Sequence, residues 1–347
     1  MTHKDVLVVG FGIAGSSLAH QLEQSNKSFD IISNNSQQAT RVAGGVLNPI
    51  VLKRYKKVWM AKEFYASAVK FYSSIETKLK TTFIQQPNLF KLLQSPQDCN
   101  DFISATERSY ISNFLTSIKS PSHPHLSNAV IKLGEVNHIY TLDLNTYLDE
   151  SIKYFNDSFY LDNFNYNKLK IGNSSVSYQS KSYQYVIFCE GYGVIDNPFF
   201  NHLPIYGNKG EYLIIHSKDL NSNQSIYKSK YFLIPLGNDL YKFGANYQRH
   251  ELNNEPTEAI RLELSKAFEM MFSVGYKIVN QLAGIRPTVK DRRPIIGRHP
   301  ELSQLFIFNG NGSRGVLASP YLAENLVQHI FYKQPILDDV DIKRYVV

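Results

Sequence analysis

The chain has 347 residues, 43% hydrophobic and 19% charged, which fits a soluble globular protein with room for two domains or for one large core with an insertion. Two cysteines, Cys99 and Cys189, exclude a disulfide framework and lack metal-ligand spacing, and no stretch has the length of a transmembrane helix, so a cytoplasmic location is expected. The formal charge of +7 suits an anionic partner, whether cofactor phosphates, an acidic substrate or RNA, but the basic residues are dispersed, and their nearest cluster, Lys53, Arg54, Lys56 and Lys57, reads as a solvated face.

The first motif is Val6 to Gly15, VLVVGFGIAG, a buried strand running into a glycine turn and then a helix carrying Leu18 and Leu22. Gly10 allows the tight turn, Gly12 admits a pyrophosphate to the backbone, and Gly15 lets helix and strand pack closely. The N–H groups at the helix start, around Ile13 and Ala14, then face the phosphates, where the helix dipole favours negative charge. A dinucleotide is expected here. Phe29 to Ser33 reads as the second parallel strand. The acidic ribose ligand expected at its end is replaced by Ser33 and Asn34, and Asp30 comes too early, so this motif leaves the choice of dinucleotide open.

Ala39 to Ile50, ATRVAGGVLNPI, is a polar start, a small run and an Asn-Pro stop, a segment whose backbone passes close to something flat or bulky. From Lys57 to Phe83 the spacing of Trp59, Phe64, Ala68, Phe71, Ile75 and Leu79 predicts a long amphipathic helix. Residues 84–138 lack long periodicity. Within them Ser120 to His125 reads as a surface loop, with His123 and His125 too poorly accompanied for a metal site. Leu142 to Phe155 is a helix capped by Asp143 or Asn145, and two short strands around Leu169 to Val176 precede a buried strand, Tyr185 to Cys189, with its own glycine turn at Gly191 to Gly193.

Between Pro204 and Tyr247 short alternating segments predict an antiparallel sheet, and Thr257 to Phe272 a helix. The chain closes with GIRP (Gly284 to Pro287), DRRPIIG (Asp291 to Gly297) and a strand, glycine loop and helix over Phe306 to Ile330, with Pro320 expected in the first turn of that helix and Ser319 as its cap.

In their order, GFGIAG, AGGVLNPI, VIFCEGYG, the antiparallel middle, GIRP, DRRPIIG and NGNGSRGVLASP resemble the D-amino-acid oxidase family of flavoproteins. The likeness runs to glycine-oxidase-like and sarcosine-oxidase-like members and to the oxidase half of the enzyme that matures the tRNA wobble uridine. The resemblance implies an α/β fold: a Rossmann-like, three-layer FAD-binding domain assembled from 1–83, 139–203 and 284–347. An α+β substrate domain with an antiparallel sheet, 84–138 and 204–283, would be inserted into it. It implies that Gly10, Gly12, Ile13, Ala14 and Gly15 hold the pyrophosphate, that Gly44 and Gly45 approach the isoalloxazine ring, with Arg41 also among the cofactor residues, and that Val176 or its neighbours and Gly191 flank the adenosine side, where Ser33 or Asn34 would bond the ribose. Gly310, Asn311, Gly312, Ser313, Gly315 and Val316 would meet the pyrimidine edge, where N–H donors and a helix N-terminus stabilise the anion of a reduced flavin. No cysteine stands where relatives attach FAD covalently, so FAD is expected to be noncovalent.

The implied chemistry is hydride transfer from the carbon beside an amine to flavin N5, giving an imine that water hydrolyses. Arg286 and Arg314 match arginines that bind the substrate carboxylate, for which a planar guanidinium fork is suited. Tyr231 and Tyr247 are the tyrosines expected to join them, although Phe232 occupies the position that Tyr231 misses by one. The expected substrate is a small amine or amino acid bearing a carboxylate. A carboxymethylaminomethyl group on tRNA, a flavin protein without turnover and a nicotinamide dehydrogenase stay as alternatives.

Overall fold

The computed structural model describes residues 2–121, 123–220 and 224–345, so Ser122, inside the expected turn Ser120 to His125, lies outside the described residues. Two eight-stranded sheets organise the chain. In the first, parallel strands run in the spatial order Phe159–Leu161, Phe29–Ser33, Thr2–Val9 and Lys181–Phe188, with Leu305–Asn309 beside the C-terminal half of the last. The strands are apolar on both faces because both are covered. Helices Ile13–Gln24, Ala61–Leu79, Leu144–Tyr154 and Gly315–Tyr332 pack on one side through Leu18, Phe71, Tyr147 and Leu322. Strand Val176–Tyr178, with Phe200 and Leu203, covers the other. This is the Rossmann-like three-layer arrangement the glycine turns call for.

Asp30 is a structural residue of this sheet. It is fully buried, paired with Lys4 (2.7 Å) and Lys181 (2.9 Å), and accepts the Tyr183 hydroxyl (2.8 Å). These donors hold its carboxyl below the usual range although burial opposes them.

The predicted helix over Lys57 to Phe83 is confined to Ala61–Leu79, between left-handed residues Met60 and Lys80. Trp59 therefore stands before it and stacks against the Arg293 guanidinium, 4.3 Å away. Asp143 caps helix Leu144–Tyr154 by accepting the Asn145 and Thr146 N–H groups, both at 3.1 Å.

The final helix corrects the expected cap. It begins at Gly315, directly after the glycine loop, so Pro320 lies inside it and Ser319 is a fully buried helical residue. Pro320 offers no N–H to the Val316 carbonyl, and the buried Tyr72 hydroxyl takes that acceptor instead, at 2.9 Å.

The second sheet runs in the order Lys277–Val289, Ile205–His216, Leu240–Gly244, Phe232–Gly237, Ile226–Lys228, Leu89–Leu93, Lys132–Val136 and Leu115–Lys119, antiparallel except where Ile226–Lys228 meets Leu89–Leu93. Residues 84–138 thus supply three of its strands and helix Pro96–Thr106, whose cap is Ser95 accepting the Asp98 N–H. Strand alternation divides this sheet. Leu213, Leu233 and Phe243 pack on helix Glu258–Glu269 through Leu264 and Phe268. Tyr212, Ile234, Lys242 and Arg286 share the opposite face, turned to the Ala43-Gly44 segment. Among the described residues no helix is long and apolar enough to cross a membrane.

Candidate active site

Three glycine turns meet at the carboxyl ends of the parallel strands. Gly10 has φ +94°, and a Cβ there would lie 2.6 Å from the Cys189 carbonyl oxygen. A Cβ on Gly15 would lie 2.0 Å from the Gly10 carbonyl oxygen, so helix and strand pack as closely as the motif demands. Gly12 begins the first helix with no side-chain cap, and the Ile13 N–H is held by Thr40 Oγ1 at 2.9 Å. Gly315 packs on Ile13, its Cβ position 2.8 Å from Ile13 Cγ2, which joins the C-terminal loop to the N-terminal turn. Asn309 ties in the third turn: its amide donates to the Gly191 carbonyl and its oxygen accepts the Gly310 N–H, both at 2.8 Å. Gly191, Gly310 and Gly312 all have positive φ. Ala14 is buried in this junction, Val316 is half-buried and Ser313 is exposed. Cys189 is buried, which pushes its thiol up and leaves it inert core.

Four expected cofactor residues stand differently. Val176 pairs with Tyr183, level with Lys4, at the end of the sheet away from the glycine turns, because the antiparallel strand meets only the first half of Lys181–Phe188. Arg41 is drawn to the outer helix, pairing with Asp149 (2.7 Å) and Asn145 (3.3 Å). Gly45 is required by the chain itself, since its Cβ would lie 2.1 Å from the Leu142 carbonyl oxygen. Asn34 is exposed and bonded to Asn163 and the Ser36 N–H. Ser33 does lie at the strand end, and its carbonyl accepts the Asp162 N–H at 3.2 Å.

Arg286, Arg314 and Tyr247, three of the expected substrate residues, gather with Tyr212. Arg286 lies flat over Gly210, where a Cβ would come within 2.0 Å of its guanidinium, and the exposed Tyr247 ring covers it from 4.7 Å. One nitrogen is fixed by Asn208 Oδ1 (3.2 Å) and the Asn246 carbonyl (3.3 Å), and the remaining N–H groups have no partner among the described residues. Arg314 caps the start of the final helix and donates to the Asn48 carbonyl at 2.7 Å. Burial lowers its pKa, opposed by nearby Tyr247. The loop bearing Tyr247 is anchored by Lys209 and Glu211, both fully buried: Lys209 donates to Asn253 and Glu211 accepts the Thr257 N–H and hydroxyl.

Tyr231 is a correction. It lies on the helix-facing side of the sheet, packed on Phe243 and hydrogen-bonded to Glu263, because alternation turns Phe232 and not Tyr231 towards the site. Two residues absent from the motifs join instead. Tyr212 Oη stands 3.0 Å from where a Gly44 Cβ would be. Lys242 donates to the Ala43 carbonyl at 3.0 Å and lacks a carboxylate partner among the described residues, so burial pushes it down to about 8. A charged residue in an otherwise apolar strand, YKFG, is the signal for Lys242. Tyr212 carries none. His123 bonds the Leu220 carbonyl, and the described residues hold no metal-ligand cluster.

The geometry fits a bound FAD. The glycine turns form a cradle that Cβ atoms would fill, and Asn311 Oδ1 is buried in the last loop without a partner among the described residues. Residues 167–329 match the model of the DAO family, described as FAD dependent oxidoreductase. The chain is 28% identical over 134 residues to glycine oxidase of Bacillus subtilis (strain 168), an alignment spanning 37% of this chain and 36% of that relative. Its fold is that of glycine oxidase from Geobacillus kaustophilus (TM-score 0.78, 16% identity, 96% of each chain covered). It is equally that of iminodiacetate oxidase from Chelativorans sp. BNC1 (TM-score 0.77, 18% identity, 98% of each covered).

Proposed function

We propose that the chain oxidises a C–N bond in a small amino acid or secondary amine bearing a carboxylate, using noncovalent FAD. The observation that carries this reading is the Arg286 guanidinium, oriented by Asn208 and Asn246, sandwiched by Gly210 and Tyr247, and with N–H groups that have no partner among the described residues. Such an edge matches a carboxylate in two charge-assisted bonds. Arg314 adds a second cation beside Tyr247, so the substrate anion is fixed at one end and its amine-bearing carbon is directed towards Gly44.

Bound FAD supplies the hydride acceptor for the carbon beside the amine. Gly10, Gly12 and Gly15 would hold its pyrophosphate, and the loop Gly310 to Gly315 its pyrimidine edge. Tyr212, Ile234 and Lys242 wall the side facing Gly44 and restrict water there. Among known relatives of this fold, glycine and iminodiacetate oxidases act on small carboxylate-bearing amines, which is consistent with this pocket.

The test is anaerobic bleaching of the flavin-loaded protein by glycine, sarcosine, iminodiacetate and a panel of amino acids. Saturable bleaching by at least one carboxylate-bearing amine is expected. A yellow protein that none of them reduces would overturn the reading.

A further inference from the structure

The sheet face that carries Arg286, Tyr212, Lys242 and Ile234 continues past Phe232 to two more cations. Lys228 and Lys91 occupy directly paired positions on neighbouring strands, and Lys228 pairs on its other side with Phe232, whose ring lies 4.7 Å from the Lys228 ammonium. Like charges placed opposite one another in a sheet are destabilising. Among the described residues their ammonium groups meet only main-chain carbonyls: Lys228 those of Ser229 and Lys230 (2.7 and 2.6 Å), Lys91 that of Leu92 (3.3 Å). Carbonyls satisfy the N–H donors and the Phe232 ring faces Lys228, but no carboxylate among the described residues pairs with either charge. Lys53, exposed in the turn between Ile50–Val51 and Lys56–Lys57, adds to the positive charge acting on Lys228. Asp98, from helix Pro96–Thr106, acts on Lys91 only from beyond ion-pair range, and its carboxylate accepts the Gln94 N–H. Burial and the two neighbouring lysines push Lys228 down to about 7.

We infer that Lys228 and Lys91 form a binding site for a phosphate group. Two compact ammonium charges on paired strand positions suit an oxyanion, whereas a carboxylate is better met by the guanidinium at the other end of the face. Four strand spacings separate Lys228 from Arg286, about 19 Å, so the site is distinct from the carboxylate clamp. It stands on the sheet face alone and does not depend on the oxidase reading. The phosphate is either a free ion or one carried on a longer molecule.

Calorimetric titration of the flavin-loaded protein with inorganic phosphate and with sulfate, near pH 6, tests the site. Saturable binding of both is expected, weakened ten-fold or more in the K91Q/K228Q double variant, which should melt no lower than the parent because a like-charge pair is relieved. Sulfate keeps its charge from pH 6 to 8.5 while Lys228 loses its own as pH rises through about 7, so sulfate binding should weaken over that range. Equal affinity for phenyl phosphate marks a site open to a carried phosphate, and its exclusion marks a site for the free ion. No saturable binding of either ion, or unchanged affinity in the double variant, overturns the proposal.

Discussion

The Tyr72 hydroxyl donates to the Val316 carbonyl at 2.9 Å, the acceptor that Pro320 leaves without a helical donor. The bond ties helix Ala61–Leu79 to the first turn of the helix that follows the Gly310 to Gly315 loop. Tyr72→Phe should therefore orphan a half-buried carbonyl and lower stability by about 1–3 kcal/mol. In a Pro320→Ala background the restored N–H serves that carbonyl, and the cost should shrink. Denaturant unfolding of the two single variants and the double variant measures the coupling; additive effects would mean that Tyr72 does not replace the missing donor.

Glu190 follows the buried strand Lys181–Phe188 and accepts hydrogen bonds from Tyr166 and Asn197 (2.7 Å for the latter). Burial pushes its carboxyl up to about 7, against the hydrogen bonds. Between about pH 4.5 and 7 the folded chain then binds a proton that the unfolded chain has released, so stability is full below this window and falls as pH rises through it. Glu190→Gln should remove that fall, on the order of 3 kcal/mol at full extent. Melting temperatures at pH 5 and 8 (about these values) provide the comparison, and an identical pH slope in the variant would assign the titration elsewhere.

The glycine turns were legible because they make steric demands that glycine meets: Cβ atoms at Gly10 and Gly15 would run into neighbouring atoms, as one would at Gly210 in mid-strand. Gly210 nonetheless stays silent in the sequence, since its neighbour Arg286 comes from a strand paired across 76 residues of chain. The same long-range pairing hides Tyr212 and Lys242 and the three strands of 84–138, which are too short to show a period. Tyr231 illustrates the sheet's period of two: a shift of one residue moves a side chain from the site to the helix-facing core. Val176 lies opposite Tyr183, away from the glycine turns, because of its register, a property of pairing that no local pattern carries.

Lys242 is buried in strand Leu240–Gly244, held by the Ala43 carbonyl and pushed down to about 8 from 10.5. Between those values the unfolded chain binds a proton that the folded chain lacks, so stability gains with pH across the window and the gain is absent below it. Lys242→Met should abolish this gain, on the order of 3 kcal/mol at full extent. Unfolding free energies near pH 8 and 10 in wild type and variant isolate the contribution from that of other lysines, and equal slopes would show Lys242 to be charged when folded.

Arg286 and Gly210 make one device, so their variants should share a phenotype. Arg286→Ala removes a charge-assisted pair and should cut kcat/KM towards a carboxylate-bearing amine by about 2–4 kcal/mol. Gly210→Ala leaves the arginine in place but puts a methyl where the guanidinium now lies, 2.0 Å from one of its nitrogens. The guanidinium must lift towards Tyr247, and Asn208 and the Asn246 carbonyl lose their hold on it. Both variants should keep flavin, because neither residue touches the glycine cradle, and the loss should be smaller for an amine lacking the carboxylate. Anaerobic reduction of the flavin by matched substrates with and without that carboxylate gives the discriminating ratio. If Gly210→Ala retains full efficiency with the carboxylate substrate while Arg286→Ala does not, close packing on Gly210 is irrelevant to how the arginine is aimed. If neither changes, Arg286 serves the sheet and not the substrate.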